Sequence, residues 1–368
     1  MKYLLLLFPF TILIGCKNAP MEENCNCNLI KGTNTIIDFT IVDTVKIVKQ
    51  VMPNLTTLYI NQYLNDTIYY YANNSLQIVD FKTGFLINSI DLSEINGNVQ
   101  DFLLIGNDTV FVLTYEPNSI VVYSRISKTV SSIWELDSIG FQSMPFVNYR
   151  MRYSNNLLET KVVNIYEDWD KYMVAVDKFD IGNQKISSSF CQKPSSYRTL
   201  FYPLLELPSK VIADDKMLIS FGTEHCVREY SQLETGYQYK GSFCAKSNFI
   251  NEDIIGIEMD GNSEFQDQIN FIIESPFYLK YLVDSINKVS YRIVKHSQQL
   301  KNLEGRLNER YDGPWSILVF NEANELIGEK IMDAGKFSYP GTIVCNQGLA
   351  IPFNISQSDD ISYLIVTF

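Results

Sequence analysis

The side chains with chemistry to offer are few: seven cysteines and two histidines in 368 residues. His225 adjoins Cys226, and a thiol beside an imidazole pairs a nucleophile with its base. Neighbours along a strand point to opposite faces, so the sequence favours a packed or surface histidine here. His296 follows the strand-like run 289–295 and reads as a loop residue. Cys226 and Cys244 stand at equal distances from a turn centred near Thr235. They could face each other across a hairpin and close a disulfide; the alternative is two buried thiols. Cys191 and Cys345 show no partner in the sequence. Cys25-Asn26-Cys27 has no second pair at metal-site spacing and is a weak signal for zinc.

The carboxylates are plentiful but not patterned. Glu167-Asp168-Trp169-Asp170 sets an aromatic ring among acids, as glycan sites do, and equally suits a solvated turn. Asp260-Gly261-Asn262-Ser263-Glu264 has the composition of a calcium loop without its ligand spacing. G-x-S-x-G, H-E-x-x-H, the P-loop and G-x-G-x-x-G are all absent. No catalytic residue, metal ligand or cofactor is therefore assigned. The formal charge of −12 excludes the broad basic surface that nucleic-acid binding needs.

The most specific chemical signal lies at the start of the chain. Lys2 precedes an apolar run from Leu4 to Ile14, which is too short to span a bilayer and has the shape of a secretory signal. It ends in Leu13-Ile14-Gly15-Cys16. A small residue before a cysteine lets a peptidase approach, and the thiol then accepts acyl chains. The expectation is a signal peptide over 1–15, a lipidated Cys16 and a polar tether over 16–34. Loss of Lys2 takes the charge from −12 to −13. Several acyl chains on one residue anchor stably, at about 0.8 kcal/mol per buried methylene. No later stretch reaches the apolar length of a transmembrane helix.

The elements that must position these residues are strands. Aromatic residues make up 13% of the chain, and with abundant Ile, Val and Thr they favour sheet. Leu64-Asn65-Asp66-Thr67-Ile68 is a turn entering a strand; Gly106-Asn107-Asp108-Thr109-Val110 and Ala213-Asp214-Asp215-Lys216-Met217 repeat it. A second pattern is an aromatic residue or valine just before a polar turn. Its anchors are Asp80, Ser124, Asp180, Ser231, Asp284 and Asn321, spaced 37 to 56 residues apart. That period suits the blades of a β-propeller. The expected fold over 35–368 is all-β: a propeller of six four-stranded blades, with aromatics packed between them. Ring closure then requires the C-terminal strand Ile361 to Phe368 to meet an N-terminal strand, read as Thr35 to Val42. The alternative is an irregular β-sandwich. Two stretches leave the pattern and read as insertions: 246–275, acidic and irregular, and 297–312, with Leu300, Leu303 and Leu307 at helical spacing. The tripeptides at Asp43, Asp66, Asp108, Asp137 and Asp284, each followed by Ser or Thr and an aliphatic residue, suit O-glycosylation or, more simply, turns into strands.

Leu13-Ile14-Gly15-Cys16, the run from Pro276 to Asp284, Val289-Ser290-Tyr291-Arg292 and Pro314-Trp315-Ser316-Ile317 resemble a family of uncharacterised Bacteroidota lipoproteins with a six-bladed propeller-like fold. The resemblance implies a location in the cell envelope, on the outer membrane, and implies no reaction. Glu22-Glu23 lies late for a surface-export signal after Cys16, so the membrane face stays open. The function these readings favour is a non-enzymatic module. It would be held to the membrane by its lipid and would bind a ligand, envelope protein or glycan through loops on one face. The alternative is a glycan hydrolase or lyase with carboxylates in the central funnel.

Overall fold

Asn and Asp turn the chain at the head of each repeated unit. Asn65 and Asp66 both adopt left-handed backbone, with φ of 50° and 58°, the conformation a tight two-residue hairpin needs. In a computed structural model, these hairpins build antiparallel sheets of four strands each. The structure describes residue 27 and the stretches 35–47, 61–136, 141–143, 151–154, 157–159, 162–164, 174–180, 183, 185–205, 208–213, 215–233, 236–259, 264–353 and 361–368. Cys16, Cys25, the acidic cluster at 167–170, most of the 260–264 loop and the Asp137 tripeptide lie outside the described residues.

The fold is all-β and propeller-like. Five four-stranded sheets each use one continuous stretch: sheet I over 61–91, II over 98–135, III over 152–192, IV over 209–244 and V over 277–332. Sheet VI joins the two ends of the chain. Its strands Ile343–Cys345, Gly348–Pro352 and Ile361–Thr367 are completed by Thr40–Ile47 on the outside. Thr40 pairs with Thr367 and Ile47 with Ile361. The N-terminal strand thus starts later than Thr35. Residues 35–37 are taken by sheet V instead, where Ile36 bridges Glu329 and Glu329 N–H donates to Thr35 O at 3.0 Å.

The two sequence patterns prove to be partners. The Asp-containing turn joins strands one and two of a sheet, and the aromatic-polar turn joins strands three and four at the same end. In three sheets the same backbone bond ties them: Phe81 N–H to Asp66 O, Arg125 N–H to Asp108 O and Gln232 N–H to Asp215 O, at 2.7 to 2.9 Å. The residue before the second turn sits at a bulge in sheets I to V, at Val79, Tyr123, Phe179, Tyr230 and Phe320. A bulge bends and twists the outer strand. The anchors miscount in one respect. Asp284 belongs to a first turn and shares sheet V with Asn321, so the six anchors mark five sheets. Sheet VI carries none.

Each seam between neighbouring sheets is filled by its own apolar cluster, from I–II round to VI–I. Aromatics cross these seams, as in Phe111 with Tyr153, Phe243 with Tyr281 and Tyr291 with Phe368. At the closing seam Phe81 meets Tyr363 edge-on, and the Tyr70 and Tyr363 hydroxyls bond at 2.9 Å with no solvent access. Aromatic pairs add about 0.5–1.5 kcal/mol beyond the area they bury.

The insertions differ from expectation. Within 246–275 there is a helix, α1, over Phe265–Glu274. Asp267 accepts from Glu264 N–H at its start, and Phe271 and Ile273 are buried beneath it. The 297–312 stretch forms no helix. It turns at Gly305, whose φ is +78°, and leaves Leu303 fully exposed. The leucine spacing there reflects a surface loop, not an apolar face. The two insertions touch through Gln298 N–H and Glu274 O.

Removing residues 361–368 takes away the strand that Thr40–Ile47 needs and opens two seams. Expression of this truncation should give insoluble protein, read by the soluble fraction and size-exclusion profile; a monodisperse folded product would count against closure by the chain ends.

Candidate functional site

In every sheet the first strand lies innermost. Residues of all six first strands or their entries line one cavity of about 250 Å³. Polar groups stitch neighbouring sheets around it. Tyr281 N–H donates to Ser209 Oγ at 2.9 Å, joining V to IV. Met151 N–H donates to Asp101 Oδ2 at 2.9 Å, joining III to II. A bulge between Val99 and Asp101 in the inner strand of II precedes that contact. Another bulge, between Tyr278 and Tyr281, holds Lys280, whose ammonium reaches the carbonyls of Pro340 and Thr342 at sheet VI. Bulges re-aim side chains in this way.

The cavity wall is cationic. Arg152, Lys210 and Lys280 line it together with Gln62, Thr342 and Tyr281, and among the described residues no Asp or Glu lines it. The acids lie behind the wall. Glu159 pairs with Lys210, both side chains being buried, and stands opposite Arg152 in register. Asp101 accepts from the backbone N–H groups of Phe102 and Met151. Two polar atoms of the wall have no partner in the structure: the Thr342 hydroxyl and Gln62 Oε1. None of these residues stood out in the sequence. A lysine or arginine in a strand reads as a solvated face, and only the closure of the ring places three of them at its centre.

A second cavity, about 430 Å³, lies at the outer corner of sheet IV and is lined by Ser195, Glu224, His225, Cys226, Arg228 and Asp253 among others. Two of its charged groups pair with each other. Arg228 donates to both oxygens of Glu224, at 3.0 and 2.6 Å. Burial raises the Glu224 carboxyl and Arg292 opposes the rise, as does the two-point contact with Arg228. The Tyr278 hydroxyl accepts from Ser247 N–H at 3.2 Å. It also shares a hydrogen bond with His225 Nδ1, 2.7 Å away. Burial, with the charges of Lys246 and Arg292, depresses His225 to about 4.

Arg292 organises this corner. Its side chain is wholly buried, and it donates to Ser220 Oγ and to the carbonyls of Phe221, Glu224 and Ala245 at 2.6 to 3.1 Å. Its guanidinium lies 3.5 Å over the Tyr278 ring. Burial lowers it to about 10, so it remains charged at neutral pH. His296, expected in a loop, is buried. Its Nε2 lies 2.9 Å from Ser316 Oγ, whose own proton goes to Glu329 Oε1 at 2.5 Å. His296 is thus the donor there, a neutral ring stacked on Phe249 and depressed to about 4 by burial and Lys295.

The cysteines meet in an unexpected pairing. Cys226 and Cys244 are directly opposed in register, as the hairpin symmetry required, but Cys244 is bonded to Cys27 across 217 residues, with Cα atoms 5.3 Å apart. Cys226 is itself in a disulfide, and its sulfur lies 3.6 Å from that of Cys27. Symmetry about a turn could identify the opposed pair; it could not reveal that Cys27 bonds to Cys244. A disulfide-bonded Cys226 offers no thiolate, which removes the Cys/His nucleophile. Cys191 and Cys345 are buried free thiols, the former raised to about 12 by burial. Among the described residues no group of three or more His, Cys, Asp or Glu could hold a metal ion, and no helix is long and apolar enough to cross a membrane.

The sequence matches no protein-family model and no curated protein. Solved structures do match. One is a member of the DUF4221 family from Bacteroides vulgatus, with a TM-score of 0.66 and 13% identity, covering 90% of this chain and 98% of that one. Another, from Bacteroides fragilis, is a protein thought to be exported, with a TM-score of 0.53 and 11% identity, covering 91% and 97%. At these identities the likeness is one of fold.

The two neutral histidines, His296 buried and His225 half-buried, set an acid limit on stability. Each binds a proton near pH 6.5 when unfolded and near 4 when folded. Their contribution is complete above pH 6.5 and is lost as pH falls toward 4. Urea unfolding should weaken across that window, by about 3 kcal/mol for His296 and about 1–2 for half-buried His225. His225→Asn, which keeps a hydrogen-bonding group beside Tyr278, should flatten part of the slope; an unchanged slope would show His225 to titrate normally.

Proposed function

We propose that this chain is a lipid-anchored propeller of the bacterial envelope that binds a ligand at the centre of its ring without transforming it. In this reading residues 1–15 are a signal peptide, Cys16 carries the lipid, 16–34 form the tether and 35–368 form six four-stranded blades. The membrane is its partner through the anchor, and an envelope protein or glycan is a further candidate; nucleic acid is not. An uncharacterised family with an outer-membrane location is its proposed kin. The structural neighbour thought to be exported and the Leu13-Ile14-Gly15-Cys16 sequence both support an envelope address.

One observation carries the binding reading. Six inner strands converge on a cavity whose wall, among the described residues, holds three cations and no carboxylate. Hydrolysis or elimination on a glycan calls for a carboxyl pair facing the substrate. Here Glu159 is spent on Lys210, and Asp101 on two backbone amides. A concave seat lined by fixed polar groups and apolar strand residues suits recognition.

Two measurements test this. Incubation of the full mature chain with a panel of envelope and plant polysaccharides should release neither reducing ends nor unsaturated products; turnover abolished by Glu159→Gln would replace the binding reading by an enzymatic one. Cys16→Ala should shift the protein from the membrane pellet to the soluble envelope fraction. Retention in the pellet would mean that the anchor lies elsewhere.

A further inference from the structure

We propose that the ring rests on a zwitterionic lipid surface through one sector of its rim, where sheets IV and V meet, and that an apolar finger of sheet V makes the contact; this rests on the lipid-anchor reading above. Cys27 is bonded to Cys244, the last residue of sheet IV. It lies eleven residues beyond Cys16, and eleven residues span at most about 40 Å when fully extended. A lipid on Cys16 therefore keeps this corner of the ring within that distance of the membrane. A surface tethered so closely meets the bilayer at high effective concentration, and contacts too weak to hold a free protein become effective.

Strand order fixes which end of the ring this is. The Asp turns and the aromatic-polar turns share one end of the sheets. Cys226 opens the third strand of sheet IV and Cys244 closes the fourth, opposite each other in register, so both lie at the other end. The connection 245–276 leaves sheet IV there. Residues 296–314, which join strands two and three of sheet V, lie at that end as well. Arg292 spans the two, since it holds the Ala245 carbonyl and belongs to the strand that runs into 296–314.

A braced turn projects from that end. Lys301 bridges Leu307, and Asn302 N–H donates to Arg306 O at 2.9 Å. Asn302 Oδ1 accepts from the N–H groups of Glu304 and Arg306 at 3.0 and 2.9 Å. The Asn308 backbone and side-chain amides bond the carbonyls of Leu300 and Gln299. The finger so built holds Leu303 fully in solvent and Leu307 half exposed. On the neighbouring connection, Phe265 and Ile255 are 74% and 72% exposed. Ile255 lines the same cavity as Cys226, whose sulfur lies 3.6 Å from that of Cys27. A single exposed apolar residue is ordinary, but here four project from the end that carries the anchor point. Apolar side chains on such a surface enter the headgroup–acyl boundary by about 5–10 Å.

Charge selects the lipid. The stretch 297–312 is neutral, with Lys301, Arg306 and Arg310 against Glu304, Glu309 and Asp312, and long cationic stems lie comfortably along an interface. Residues 246–275 carry seven acids and one lysine. An anionic leaflet would repel them; a zwitterionic one would not.

The test places a tryptophan on the finger of the full lipidated chain, reconstituted on phosphatidylcholine vesicles with brominated acyl chains. After subtraction of the wild-type signal, Leu303→Trp should be quenched about twofold or more relative to unbrominated vesicles, as that depth requires. Its emission should also move to the blue. Ile126→Trp, 79% exposed in the second turn of sheet II at the opposite end of the ring, should keep its intensity. Should Leu303→Trp misfold, Leu307→Trp reads the same contact. Protein that floats with the vesicles while neither tryptophan is quenched overturns the docking and leaves the anchor in place. Equal quenching of both, or quenching of Ile126→Trp alone, does the same. Protein left behind when the vesicles float overturns the anchor reading, and the docking with it.

Discussion

A guanidinium buried whole must have its charge met from every side, and Arg292 achieves this with neutral groups. It rises from sheet V and gathers the carbonyls of Phe221, Glu224 and Ala245 from the corner of sheet IV. Those carbonyls sit at bends in the chain, where no ladder satisfies them. The Tyr278 ring beneath it supplies a π face, and the same tyrosine's hydroxyl holds His225 and the Ser247 amide. The corner so fixed carries Cys226 and lies against the Cys27–Cys244 bond. This one cation thus ties sheet V to the corner of sheet IV.

The other seams repeat the logic with smaller groups. A sheet of four strands cannot cover both its faces, so stability comes from stacking sheets around an axis. Apolar clusters supply most of the attraction between sheets, and aromatic pairs bridge the wedge-shaped gaps. Near the axis, where the sheets crowd, polar contacts take over: Asp101 to Met151, Ser209 to Tyr281, Lys280 to the carbonyls of Pro340 and Thr342. These contacts fix the positions of the strands that carry the cavity wall, so the groups that hold the ring together also shape the site.

Much of this architecture was legible in the sequence, because it rests on local chemistry. Asx turns such as Asp80 to Thr83 N–H and Asp284 to Asn287 N–H require particular residues at particular spacings. The bulge before each second turn left an aromatic or valine trace. What stayed hidden depends on pairing at long range. The turn of sheet VI, Cys345 to Gly348, lacks the aromatic-polar signature, so the sixth sheet went uncounted among the anchors. Asp284 looked like a second turn because Val283 precedes it, although it closes a first one. His296 followed a strand and resembled a loop residue, yet Phe249 and Ser316, from distant segments, bury it. The cationic wall is the extreme case, since Arg152, Lys210 and Lys280 have nothing in common except the axis they face.

The composite sheet also sets a timetable. Strand Thr40–Ile47 is synthesised long before its partner Ile361–Thr367. Sheets I to V can form as their own stretches emerge, since each is continuous. The ring cannot lock until Ile361–Thr367 is free, and pairing it with Thr40–Ile47 then carries the loop-closure entropy of all the sheets between them. Until that moment two strand edges stand open to other chains. A molecule built this way becomes resistant to unfolding only once Ile361–Thr367 has paired with Thr40–Ile47.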